Sequence, residues 1–239
     1  MTLIASIPPG APIFQMRQPM SAIDSSLRRL KTDWVDLYQF HCPDPLTPIE
    51  ETLRALDDLI RIGKVRYVGC SKFSGWQVAD AYWTARVANL NPFISCQEEY
   101  SLLAQDAERE LIPAMKACGL GLLPYYPLAS GLLTGKYKRD VPLPAGSRFT
   151  KMPDQANKYL TASNWTIVDE LTKFCGERGH TLLELAFSWL AANRVVSSVI
   201  AGVTRPEQIE QNIKATEWAL SPEELREIDR ITGVRSTSR

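Results

Sequence analysis

Short apolar runs alternate along this chain with longer amphipathic ones, and that order commits it to parallel strands joined by helical crossovers. Residues 2–7, 34–41, 65–70, 93–97, 120–125 and 195–200 read as strands, and helices fall between and after them at 21–30, 48–62, 76–87, 107–117, 163–178, 181–192, 206–214 and 221–232. Local signals punctuate the pattern. Thr47 is placed to cap a helix that opens on Pro48 and carries Glu50 and Glu51 in its first turn. That helix lines up Leu53, Leu56, Leu59 and Ile60 and stops at Gly63. Ser74 caps the next helix, and the run Ser221-Pro222-Glu223-Glu224 is a capped start near the end. Residues 127–160, rich in Pro, Gly, Lys and Arg, break the rhythm. No shift of composition divides the chain, so one α/β domain over residues 1–239 is expected. Periodicity alone fits a doubly wound sheet or a barrel, but a complete eight-stranded barrel runs to about 250 residues and eight strands.

Composition removes several classes of function. The chain has 27 basic and 27 acidic residues, which argues against an electrostatic nucleic-acid binder. Hydrophobic residues at 45% and charged ones at 23% suit a globular chain and not a disordered one. The longest apolar stretch, residues 117–133, is interrupted by Pro124 and Pro127, so no membrane span is expected. The start lacks a basic segment followed by an apolar one, so no signal peptide is expected either. Cys42, Cys70, Cys96, Cys118 and Cys175 are odd in number and form no Cys-x-x-Cys pair, which points to reduced thiols in the cytoplasm and away from a zinc site.

Three places could carry chemistry. His41 ends a strand in which Leu37, Gln39 and His41 share one face. A polar side chain there suits an active site at strand C-termini, the alternative being a hydrogen-bonded structural histidine. His180 opens a helix and reads as surface. The segment Pro127, Leu128, Gly131, Leu133, Gly135, Lys136 offers close backbone approach and a cation to an anion, with Arg148 as a weaker addition. Solvated loop charges are the alternative for both cations. Finally, the helix that opens on Pro206 presents free N–H groups to an anion beside Thr204 and Arg205.

Five ordered segments resemble the aldo-keto reductases. They are residues 26–41 (SLRRLKTDWVDLYQFH), 63–73 (GKVRYVGCSKF), 97–103 (QEEYSLL), 126–137 (YPLASGLLTGKY) and 202–212 (GVTRPEQIEQN). The resemblance implies a TIM (β/α) barrel, here incomplete, with about six parallel strands. It implies an NADPH-dependent reduction of a small carbonyl compound. By resemblance, His41 orients the carbonyl, Ser71 and Gln97 read the nicotinamide carboxamide, and Tyr125 stacks on the ring. Residues 127–136 and Arg148 hold the diphosphate. Gly202, Thr204 and Arg205 take the 2′-phosphate, with Arg205 on the adenine, and Gln208 and Asn212 read its edge. Family members have about two further β-α units before the segment matched by residues 2–7, and their catalytic Asp and Tyr lie there. Ile7 stands where the family's Lys would be. Lys72 replaces a usual Asn, and Tyr126 a usual Ser. An open barrel would need its edges covered, so a homo-oligomer is expected. Two other readings remain: a nucleotide-binding sensor or interaction protein, and a shortened family member with no activity.

Overall fold

The structure, a computed structural model, describes residues 17–233, with side chains from residue 22 onward. Its described residues divide into two compact units, residues 17–98 with 109–123 and residues 99–108 with 124–233. The expected strand at 2–7 lies outside the described residues.

The first unit holds a parallel sheet in which β1 (Val35–Phe40), β2 (Val65–Ser71), β3 (Ser95–Glu99) and β4 (Gly121–Tyr125) lie in sequence order. The helices preceding them are α1 (Arg17–Leu30), α2 (Ile49–Arg61), α3 (Gly75–Val87) and α4 (Leu111–Cys118). Registers are specific: Gln39 pairs with Gly69, Phe40 with Cys70, Cys70 with Cys96, and Ser71 with Gln97. One face carries Tyr38, Phe40, Val68, Cys70 and Cys96, all buried, as are Leu53, Leu56 and Leu59 of α2. Edge-to-face rings of Phe40, Phe73 and Phe93 extend that core. Removing such side chains from water is the main stabilising term here, at about 1.5–3 kcal/mol each.

Local expectations meet local geometry in detail. The Gln77 Oε1 atom accepts from the N–H of Ser74 (3.0 Å), so Ser74 caps α3 as its sequence suggests. Helix α2 instead starts one residue later than expected, with Pro48 in the cap position. The reason is Asp44, whose carboxylate takes the Thr47 hydroxyl (2.8 Å) and the Leu46 N–H (2.9 Å) in a turn of its own. Asp57 on α2 is buried, which pushes its carboxyl up. Hydrogen bonds from the Asn91 backbone and side chain, and from Arg61, outweigh that and hold the carboxyl below its ordinary value. The turn entering β3 is thereby tied to α2.

The second unit is mostly helical, with α5 (Arg148–Lys151), α6 (Pro153–Tyr159), α7 (Ala162–Gly176), α8 (Leu182–Ala192), α9 (Pro206–Lys214) and α10 (Pro222–Thr232). Trp189 of α8 packs against Tyr100 with ring centroids 4.9 Å apart. The Tyr100 hydroxyl donates to Glu108 (2.6 Å) and accepts from Asn193 (3.1 Å). Residues 195–200, expected as a sixth strand, form no named strand; the Ile200 N–H donates to the carbonyl of Pro124 (3.0 Å). The α/β class with a parallel sheet is therefore observed, with four named strands among the described residues. Among those residues no helix is long and apolar enough to cross a membrane.

Tyr38 supplies a test of the helix-covered face. It is 2% exposed, its hydroxyl has no hydrogen-bond partner, and burial pushes its pKa up to about 12 from an ordinary value near 10. Because the folded pKa is raised, the associated stability is intact below pH 10 and lost as pH rises through 12. Urea unfolding should show Tyr38→Phe unchanged or slightly more stable at pH 7, and missing about 2 to 3 kcal/mol of the wild-type alkaline loss.

Candidate functional site

Each unit gathers its own group of candidate residues. In the first unit the register does the gathering. His41 follows Phe40, whose partner is Cys70, and so stands opposite Ser71, which is itself paired with Gln97. His41, Ser71 and Gln97 thus form one row across the C-terminal ends of three adjacent strands, on the face turned away from Phe40 and Cys70. Ser71 is buried, and His41 and Gln97 are half-buried. The Gln97 Oε1 atom is buried without a partner among the described residues. An amide-reading group with one uncommitted polar atom is what a carboxamide ligand requires. Lys72, just past the row, holds a left-handed φ of 60° and donates its N–H to the Gln97 carbonyl (3.2 Å).

In the second unit the chain after Tyr125 makes a loop whose backbone is left-handed at Tyr126, Ala129, Ser130, Gly131 and Gly135. For Tyr126, Ala129 and Ser130 this conformation costs of order 1 kcal/mol or more each and persists only where neighbours enforce it. Backbone bonds from Ala129 to Tyr126 (2.8 Å) and from Gly131 and Leu133 to Leu128 (2.7 and 3.2 Å) fold the loop back on itself. Pro127 and Leu133 are buried, Leu128 is half-buried, and the Leu133 side chain therefore serves packing. A Cβ on Gly131 would lie 3.2 Å from Lys136 Nζ, so glycine leaves the room in which that ammonium lies across the loop.

The remaining cationic candidate joins this loop. Arg148 sits with its guanidinium carbon 5.9 Å from the Tyr126 ring centre, and one of its nitrogens would be 4.0 Å from a Cβ on Gly202. The structure thus brings Tyr126, Arg148 and Gly202 together, while Tyr125 meets Tyr126 edge-on at 5.3 Å. Thr204 and Arg205 are exposed ahead of α9. The side chain of Gln208 caps that helix: its Oε1 accepts from the N–H of Thr204 (2.7 Å) and of Arg205 (3.2 Å) and from the Thr204 hydroxyl (3.2 Å). Its oxygen is committed to the cap, and its amide nitrogen is the group left to meet a ligand. Asn212 lies half-buried one turn further along α9.

Sequence reasoning missed what holds the strained loop. Ser130 Oγ donates to Gln155 of α6 (3.0 Å). At the other end of α6 the Tyr159 hydroxyl donates to Glu99 Oε1 and the Lys158 ammonium to Glu99 Oε2, both at 2.5 Å. Burial, then the Glu99 carboxylate, drives the Tyr159 pKa far above the ordinary range, so this phenol stays a donor. No local pattern marks these residues, because each bond spans 25 or 60 positions. Tyr159→Phe removes the donor to a mostly buried carboxylate and should cost about 1–3 kcal/mol in urea unfolding.

Residues 15–232 match the pattern of the Aldo/keto reductase family. The chain is 36% identical over 219 residues to a putative voltage-gated potassium channel subunit beta of Schizosaccharomyces pombe, covering 89% of this chain and 63% of that protein. It is 35% identical over 222 residues to the uncharacterized oxidoreductase YrpG of Bacillus subtilis (93% and 65%). It is 33% identical over 216 residues to the L-glyceraldehyde 3-phosphate reductase of Escherichia coli K12 (88% and 62%). The chain therefore spans just under two thirds of the length of these relatives.

Proposed function

The chain belongs to the aldo/keto reductase family, and on that premise we propose that it binds NADPH and reduces a small aldehyde or ketone by hydride transfer. The observation that carries this reading is the pairing of a strained, cation-bearing loop with the exposed start of α9 in one unit. The 2′-phosphate is assigned to Gly202, Thr204 and Arg205, where the exposed Arg205 guanidinium and the positive end of the α9 dipole favour a doubly charged anion. The diphosphate is assigned to the backbone of residues 127–136 with Lys136 and Arg148 as counter-charges. Gln208 and Asn212 read the adenine. Gln97 and Ser71 read the nicotinamide carboxamide, and Tyr125 supplies the stacking partner.

The bound dinucleotide supplies the hydride. His41 would donate a hydrogen bond to the carbonyl oxygen, orienting the substrate and stabilising the charge that grows there, and His41 or a water would supply the proton that completes the alcohol. The relative named as L-glyceraldehyde 3-phosphate reductase supports a small aldehyde as substrate class. The relatives named as channel beta subunits favour a second reading, in which the nucleotide site serves a protein assembly. A homo-oligomer would cover the edges that an incomplete barrel leaves open. Five free cysteines suit the cytoplasm.

Two variants separate binding from chemistry. Arg205→Ala should weaken NADPH binding by roughly 10- to 100-fold in a fluorescence titration. His41→Ala should leave that affinity within about 2-fold and lower carbonyl turnover by roughly 100-fold or more. Binding without turnover across a panel of small aldehydes would select the assembly reading.

A further inference from the structure

One residue row below His41, Ser71 and Gln97, the inner side of the sheet carries a second set of polar groups. Gln39 is 1% exposed, and among the described residues neither its Oε1 nor its Nε2 has a hydrogen-bond partner. Ser95 is 5% exposed, and its Oγ likewise has none. The register sets them either side of Gly69, which pairs with Gln39 and precedes the Cys70↔Cys96 pair. A Cβ on Gly69 would collide with Ser95 Oγ and lie 3.4 Å from Gln39 Cγ. The absent side chain therefore leaves space on the middle strand between the Ser95 hydroxyl and the Gln39 side chain. Buried amides and hydroxyls without partners cost about 1–3 kcal/mol each, so three uncommitted atoms in one place are not a neutral feature.

The row above supplies a fourth. Gln97 Oε1 is buried and unpartnered, and it belongs to the same strand as Ser95, two residues on. Two residues of strand advance about 6.6 Å. Two hydrogen bonds through one oxygen span somewhat less, and long side chains close the difference. We propose that Gln39, Ser95 and the inward oxygen of Gln97 hold an internal water, and that this water fixes the carboxamide orientation of Gln97. A water has two donors and two acceptor sites, which match this set. It donates to Gln97 Oε1 and Gln39 Oε1 and accepts from the Ser95 hydroxyl and Gln39 Nε2. With its oxygen so held, Gln97 turns Nε2 toward the strand ends, as a donor to a carbonyl oxygen. Gln39 is then a positioning residue acting through Gln97. That last consequence rests on the proposed nicotinamide site, whereas the water does not.

Water-to-protein NOE and ROE spectra of the ¹⁵N-labelled wild-type chain test the site directly. The expected result is cross-peaks of opposite sign from a long-lived water to the side-chain amides of Gln39 and Gln97. Gln39→Met and Ser95→Ala should each abolish the Gln97 cross-peak and lower the urea midpoint. Absence of cross-peaks in the wild type overturns the proposal, as does a Gln39→Met variant that gains stability, since that would mean the amide was a buried burden. The NADPH titration then reads the consequence: Gln39→Met should weaken binding several-fold, and unchanged affinity overturns the positioning role. A wild type that fails to bind NADPH refutes the cofactor reading alone, because the NMR result is obtained without nucleotide.

Discussion

The pairing of Phe40 with Cys70 and of Cys70 with Cys96 sets which side chains of β1, β2 and β3 lie under the helices. Side chains alternate along a strand, so those two registers also decide what faces the other way. With the three buried residues on one side, His41, Ser71 and Gln97 form a row on the other, and Gln39, Gly69 and Ser95 form the row beneath it. A slip of one residue in either pairing would send His41 or Gln97 among the aromatic rings of Phe40, Phe73 and Phe93, and would bring Cys70 or Cys96 to the strand ends. Burial of α2 against this sheet makes that slip costly, because Leu53, Leu56 and Leu59 would lose their apolar partners.

The second unit solves a different problem. On the proposed reading this loop holds an anion, and left-handed residues would turn backbone N–H groups toward it at a conformational cost. Here the cost falls on Tyr126, Ala129 and Ser130 as well as on two glycines. It is offset by bonds made elsewhere, from Ser130 to Gln155 and from Tyr159 and Lys158 to Glu99, which anchor α6 beside the loop. The aromatic stack of Tyr137, Phe149 and Tyr159 fills the space beneath. Arg148 opens α5 just ahead of α6, so the segment that secures the loop also delivers one of its cations.

Much of the first unit is legible in the sequence because its signals are local. The runs at 34–41, 65–70, 93–97 and 120–125 fall on β1 to β4, and the cap at Ser74 sits where short-range hydrogen bonding places it, as does the one at Ser221 in the second unit. The start of α2 was displaced by a single turn-forming residue, Asp44, whose competition with Thr47 no helix rule anticipates. Residues 127–160 were opaque for a stronger reason. Tyr, Ala and Ser do not announce positive φ, and the partner that holds Ser130, Gln155, lies 25 residues away in sequence. The His41, Ser71 and Gln97 set was named from family resemblance, yet its assembly into one row depends on strand pairing that only the folded chain displays. Lys72 and Tyr126, both departures from the family pattern, turn out to share left-handed backbone.

The account assigns a doubly charged phosphate to Gly202, Thr204 and Arg205, and that assignment distinguishes the two forms of nicotinamide dinucleotide. Calorimetric titration of the same protein sample with NADPH and with NADH tests it most directly. NADPH should bind saturably and at least about tenfold tighter than NADH, the worth of one charge-assisted contact. Equal affinity for the two, or no heat with either, would contradict it.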